Sequence, residues 1–151
     1  MFIRELALEE EWPIDVLLLA DPDEAMIRSY RYRGSCYVAE VDKQIVGAYV
    51  LLPTRPKTAE IICIAVEESH QGRGIGRALI CHAVQTAKDS GYVHLDVGTG
   101  NSSISQLALY QKCGFRIVGV ERDHFVKHYM EPIMEDGLPC LDMIRLQLEL
   151  G

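Results

Sequence analysis

The sequence predicts an α+β domain of three layers, α/β/α, with a mixed central sheet of about seven strands and four helices. Three observations carry this. Residues 143 to 150 alternate Met143, Arg145, Gln147 and Glu149 against Ile144, Leu146, Leu148 and Leu150, the period of a half-buried strand. Residues 59 to 66 become continuously apolar after Glu60, as in the buried middle of a sheet. From Gly74 to Asp89 the residues Ile75, Leu79, Ile80, Ala83, Val84 and Ala87 recur at helical spacing, and Gly91 sits where a left-handed stop belongs.

The remaining elements follow in order. Residues 2 to 7 read as a first strand and 9 to 20 as a helix. Asp21-Pro22-Asp23-Glu24 offers a cap, a proline at the first helical position and a glutamate three residues after the cap, so a second helix runs to Arg33-Gly34. Ser35–Val41 and Gln44–Leu52, joined by Asp42-Lys43, make a hairpin. Tyr92 to Val97 reads as a strand, 103 to 113 as a short helix and 115 to 120 as a strand. Residues 121 to 142 form the one long irregular connection, and such loops in compact domains are often functional. The last strand either closes its own sheet or pairs with a partner.

Length and composition narrow the class. The chain has 151 residues, 48% hydrophobic and 25% charged, which fits a single domain over 1–151 with a full core. No apolar run approaches bilayer length, and Met1-Phe2-Ile3-Arg4-Glu5 lacks the form of a secretory signal, so a cytoplasmic protein away from membranes is expected. The five cysteines are scattered without a close pair, which predicts reduced thiols and no metal site. A net charge of −7 argues against nucleic acid and is compatible with a cationic acceptor.

The segment Gln71-Gly72-Arg73-Gly74-Ile75-Gly76-Arg77 joins the buried strand to the amphipathic helix. Tight turning just before a helix aims unpaired N–H groups at an anion, and the helix dipole adds partial positive charge. A nucleoside-triphosphate loop needs Gly-Lys-Ser/Thr, and this chain has Gly76-Arg77-Ala78. A dinucleotide fingerprint needs a third glycine, where Leu79 stands, although Asp96 does follow about twenty residues later.

The strand ending Ile64-Ala65-Val66, followed by Gln71-Gly72-Arg73-Gly74-Ile75-Gly76, resembles the acetyl-CoA motif of the GNAT N-acetyltransferase superfamily, Gln/Arg-x-x-Gly-x-Gly/Ala. Asn101, Tyr110 and Gly114-Phe115 are similar to a second segment of that family. The resemblance implies a GNAT-like mixed sheet whose parallel strands splay apart at the cofactor site. It implies that Gln71, Gly72, Arg73, Gly74, Ile75, Gly76 and Arg77 cradle the pyrophosphate of acetyl-CoA. The main chain at Ile64 and Val66 then meets the pantetheine arm, and Asn101 and Tyr110 also face the cofactor. Tyr110 is the implied donor to the leaving thiolate, and Glu60 the implied base, directly or through water, with Glu67 and Glu68 as substitutes. Members of this family often form homodimers.

Each residue also has a plainer reading. Tyr110 beside Phe115 suits a half-buried aromatic, Glu60 a solvated charge and Asn101 a helix cap. His70, His124 and His128 lie on polar segments and receive no role, and Cys63 reads as a small apolar residue without a paired histidine. The expected activity is transfer of acetyl to a primary amine of a small molecule or protein by direct attack in a ternary complex. The alternative is a non-catalytic acyl-CoA-binding sensor. The resemblance implies an acceptor site bounded by residues 9–33 and 121–142, and in the latter His124, Phe125, His128, Tyr129, Glu131, Glu135 and Asp136 combine aromatics with carboxylates suited to a cationic amine.

Overall fold

In the computed structural model, which describes residues 1–151, the chain runs β1 (Phe2–Glu5), α1 (Ile14–Leu17), α2 (Glu24–Ser29), β2 (Ser35–Val41), β3 (Gln44–Arg55), β4 (Thr58–Val66), a single 3-10 turn (Glu68–His70) and α3 (Ile75–Asp89). It continues through β5 (His94–Gly100), α4 (Ile104–Lys112), β6 (Arg116–Glu121), α5 (His124–His128), β7 (Met134–Glu135), β8 (Leu138–Pro139) and β9 (Met143–Glu149). Seven strands form one sheet in the order β1-β2-β3-β4-β5-β9-β6, and β7 pairs with β8 in a separate small ribbon. Within the large sheet β4 and β5 are parallel and all other neighbours antiparallel.

Each face of the sheet carries its own core. On one side α3 buries Ile75, Leu79, Ile80, Ala83 and Ala87 against Tyr49, Leu51, Ile61, Leu95 and Val97, joined by Tyr110 from α4. On the other side Val16, Leu17 and Ile27 of α1 and α2 pack on Val38, Ala48, Val50, Cys63 and Ala65. Close seating of α3 depends on Gly47: a Cβ there would stand 3.1 Å from Leu79 and 3.3 Å from the Ala65 carbonyl. Tyr49 adds a polar tie, its hydroxyl 2.7 Å from His82 Nδ1.

Several expectations need correction. The first helix is one turn rather than residues 9 to 20, because Pro13 sets its start and Glu10 is drawn away to Arg4 in a two-pronged contact of 2.7 and 2.9 Å. The second helix starts at Glu24, and its cap is Asp23 rather than Asp21: Asp23 accepts from the Met26 N–H while its own N–H is donated to Asp21. The strand expected at 92 to 97 is displaced to 94 to 100, since the N–H groups of Val93 and His94 both bond to the Lys57 carbonyl and set the register there. There are five α-helices instead of four, because the segment 121 to 142 folds into α5 and the β7–β8 ribbon. The last strand lies between β5 and β6, so it has no free edge for a partner.

The hairpin turn forms as expected, with Asp42 and Lys43 both left-handed at φ 51° and 65°, matching the twist of paired strands. No helix is long and apolar enough to cross a membrane.

Candidate active site

The sheet opens at one place. The parallel register of β4 and β5 runs from Thr58 opposite His94 to Ile61 opposite Val97 and stops. Beyond it β5 stays with β9 while β4 stays with β3, so the two strands diverge. A bulge coincides with the divergence: Leu51 pairs with Ile61 and Val50 with Cys63, which leaves Ile62 as an extra residue on β4. The bulge reverses side-chain parity. Ala59 and Ile61 face the α3 core, Cys63 and Ala65 face the α1–α2 core, and Ile64 and Val66 pack toward α3 again. Past Ile61 the β4 edge turned from β3 has no strand partner, which leaves backbone at Ile64 and Val66 able to meet an amide-bearing ligand.

The glycine turn follows directly. Gly72 and Gly74 are left-handed at φ 77° and 82°, and Gly74 caps α3. The first helical bond runs from Ala78 N–H to the Gly74 carbonyl at 3.0 Å, so the N–H groups of Ile75, Gly76 and Arg77 have no helical partner. The side chain of Ile75 is buried core, which limits its possible contribution to backbone. Arg73 and Arg77 are exposed and make no ion pair. Gln71 donates its amide to the Val66 carbonyl at 3.0 Å, stapling the turn to the strand. A Cβ on Gly76 would meet Leu109 and Val66 only at 3.8 and 3.9 Å, so the protein itself does not require glycine there.

Tyr110 on α4 is 2% exposed, its ring edge-on to Phe115 at 5.8 Å. Burial raises its hydroxyl pKa above the usual phenol range, with a hydrogen bond from Gln106 acting the other way. Asn101 is tied to the segment before β9. Its Oδ1 accepts from the N–H groups of Leu141 and Asp142 at 2.8 and 3.0 Å, and its Nδ2 donates to the Pro139 carbonyl at 3.1 Å. Both ends of the amide bond residues 139–142, which makes Asn101 a clamp on that segment.

Glu60 lies on the opposite face, before the bulge. It is beside Asp96 in the strand register and accepts from Arg145 Nη1 at 3.2 Å. Burial raises its pKa above the ordinary carboxylate value, opposed by the Arg145 charge. Arg145 also donates to Glu121 at 2.8 Å, and Glu121 lies 3.2 Å from His124 Nδ1. Nearby, Tyr129 donates to Asp21 at 3.1 Å, and burial raises the Asp21 pKa as well. A chain of contacts thus runs from Glu60 through Arg145 and Glu121 to His124, whose charge also acts on the Asp21–Tyr129 pair. Asp21 and Tyr129 are 108 positions apart, so no local pattern could join them.

The other loop residues separate by role. Phe125 stacks on Tyr129 at 5.6 Å. Glu135 accepts from Ser103 at 2.6 Å, and Asp136 is left-handed in the β7–β8 turn. Glu67 caps the 3-10 turn that Glu68 opens, and His70 bonds to Ser69. Cys63 donates to the Leu17 carbonyl at 3.7 Å, and burial pushes its thiol up to about 12, which leaves no thiolate for nucleophilic attack.

The sequence matches the Acetyltransferase (GNAT) family over residues 4–115. An uncharacterized N-acetyltransferase of Bacillus subtilis, YvbK, is 52% identical over 136 residues, covering 90% of this chain and 88% of its own. The structure of an IAA acetyltransferase from Bacillus cereus superposes with a TM-score of 0.95 at 56% identity, covering 98% of both chains. A GNAT family acetyltransferase from Elizabethkingia anophelis with acetyl-CoA bound has a TM-score of 0.95 at 44% identity, covering 98% of this chain and 97% of that one.

Proposed function

The chain belongs to the Acetyltransferase (GNAT) family, and from that premise we propose that it moves acetyl from acetyl-CoA to a primary amine by direct attack in a ternary complex. The observation that carries the reading is the opening of β4 from β5 after Ile61, next to a helix whose first N–H groups are unpaired. Residues 1–151 act as one domain in this proposal.

The pyrophosphate sits on the backbone of residues 72–77, with Gln71 positioning the turn through Val66 and Asn101 acting as a clamp rather than a cofactor ligand. The pantetheine arm follows the free edge of β4 at Ile64 and Val66, where a backbone N–H can also hold the oxyanion. Glu60 takes one proton from the ammonium form of the acceptor, directly or through water, and its raised pKa makes it a better base than an exposed carboxylate. The nitrogen then attacks the thioester carbon and the C–S bond breaks. Tyr110, kept protonated by burial, steadies the departing sulfur with a hydrogen bond, and the sulfur takes the second amine proton.

The acidic surroundings of Asp21 and Glu60 support a cationic acceptor, and a cytoplasmic setting belongs to the same proposal. A homodimer rests on one ground: β6 is an edge strand with Ile117, Val118 and Val120 exposed.

Coenzyme A release across a panel of primary amines tests the reading, alongside acetyl-CoA affinity by calorimetry. Release above the amine-free rate with at least one amine is expected. Tight acetyl-CoA binding without release from any amine overturns it in favour of a sensor.

A further inference from the structure

We infer that Arg145 is a positioning residue of the acetyl transfer proposed above, on which this rests: its guanidinium crosses β5 and fixes the Glu60 carboxylate with one oxygen free for the proton of the amine. Arg145 stands on β9 between two glycines, Gly98 of β5 on one side and Gly119 of β6 on the other. The first of them clears the crossing. A Cβ on Gly98 would lie 3.3 Å from Arg145 Nη1 and 2.5 Å from Met143 Sδ, so a side chain there would crowd the path from β9 to β4.

The guanidinium is shared unequally. Nε donates to Glu121 Oε1 at 2.8 Å, and Nη1 donates to Glu60 Oε2 at 3.2 Å. Glu121 is the anchor, and Glu60 is held more lightly. A carboxylate paired tightly with an arginine is a weak base, whereas one left beside other carboxylates in a partly buried site holds its proton too well. A shared arginine keeps Glu60 between these limits. No buried side-chain oxygen lacks a partner, and Glu60 Oε1 has none within the chain, so that oxygen is open to solvent. There the ammonium N–H bond breaks, its electron pair stays on nitrogen, an O–H bond forms on Oε1, and water later removes that proton. Throughout, Arg145 keeps a charge partner in Glu121.

The other groups facing Glu60 leave Arg145 as its one ion-pair partner. From β5, Asp96 lies opposite it but is bonded to Arg55 and Gln147, each at 2.8 Å. From the end of α2, the Tyr30 phenol is pushed up to about 12 by burial and stays neutral. From α5, His124 reaches Glu121, and burial holds it below the ordinary histidine range, so it is uncharged at neutral pH. Burial raises the Glu60 pKa, the charge of Arg145 opposes this, and Asp96 and Glu121 add to the rise.

Opposite shifts in two variants test the inference. Arg145→Met keeps an unbranched side chain and removes the charge, so the Glu60 carboxyl should titrate higher by about one pH unit or more, the scale of a close opposite charge. Glu121→Gln leaves the arginine's charge to Glu60 alone and should move the same titration lower. Arg145→Lys keeps a charge without the planar fork, so it should titrate near the unaltered protein with kcat still several-fold reduced. Carboxyl carbon NMR of glutamate-labelled protein reads these titrations without an acceptor, the Glu60 signal being the one lost in Glu60→Gln. Coenzyme A release with phenethylamine, spermidine and glycinamide reads them as the acid limb of kcat/KM. In Arg145→Met, kcat above that limb should also fall by about 10- to 100-fold, the cost of a misplaced group. Retained acetyl-CoA affinity marks an intact fold in each variant. A Glu60 titration that stays in place in Arg145→Met, or moves the same way in Glu121→Gln, overturns the inference while leaving acetyl transfer standing. So does an unchanged kcat in Arg145→Met. Release from none of the amines, with the titration shifts intact, overturns the transfer reading and not the hold of Arg145 on Glu60.

Discussion

Glu60 carries its charge where burial disfavours it. With a folded pKa raised above 4.5, the protonated form is the one the fold prefers. Its contribution to stability is therefore present at low pH and lost as pH rises through the raised value. Two consequences follow for Glu60→Gln. Turnover should fall by about 10²- to 10⁴-fold, the contribution of a positioned base, and the acid limb of kcat/KM in the unaltered protein should lie above pH 4.5. At pH 7 the melting temperature should not fall, since a neutral isostere can still accept from Arg145, which also keeps Glu121. A thermal melt paired with a pH–rate profile checks both, and a lower melting temperature with unchanged turnover would make Glu60 purely structural. Tyr110→Phe removes one hydroxyl from a buried ring whose packing on Phe115 remains. The expected result is a clear loss in kcat with acetyl-CoA affinity nearly unchanged, read by steady-state kinetics and calorimetry. Equal turnover would remove Tyr110 from the chemistry.

At the scale of elements, Asn101, just past the end of β5, ties residues 139–142 with three hydrogen bonds, beside the Tyr129–Asp21 and Ser103–Glu135 contacts of the segment 121–142. Asn101→Ala deletes three hydrogen bonds to residues 139–142. Losing satisfied bonds to backbone costs about 1–3 kcal/mol when the groups stay buried. The acceptor KM should rise several-fold while acetyl-CoA affinity holds, and the reverse pattern would return Asn101 to the cofactor. This clamp was not legible in the sequence, where the asparagine motif suggested a cofactor contact and the bonded partners lie about 40 positions away. The β2–β3 hairpin and α3 were legible because alternation, helical spacing and the glycines act locally. The bulge at Ile62 is implied only by the family resemblance: Ile61 to Val66 is apolar at every position, so a reversal of parity leaves no trace in the pattern. The N-terminal helices were over-extended because Glu10 and Asp21, good helix and cap residues by type, are taken by Arg4 and Tyr129 from outside the segment.

For the whole molecule, the bulge joins two halves that the sheet otherwise separates. The donor cradle lies on the α3 core, the acidic group lies on the α1–α2 face, and the opening after Ile61 is where they communicate. Binding along this opening gives β4 a partner on its free edge and gives the first N–H groups of α3 an anion, both groups unsatisfied within the chain. Acetyl-CoA should therefore act as a folding ligand. At a concentration of 100 times Kd, mass action adds about 2.7 kcal/mol to stability. For a chain of this size each kcal/mol moves the melting temperature by roughly 2–4 °C, so a rise of about 5–10 °C is expected. The two parts of coenzyme A can be separated in the same melt. Adenosine 3′,5′-bisphosphate lacks both the pyrophosphate and the pantetheine arm and should give a much smaller shift. Full-length coenzyme A, which keeps both, should approach the acetyl-CoA value. A shift with the bisphosphate equal to that with acetyl-CoA would move the binding energy away from the β4 edge and the turn, and would break the link between the splayed strands and function.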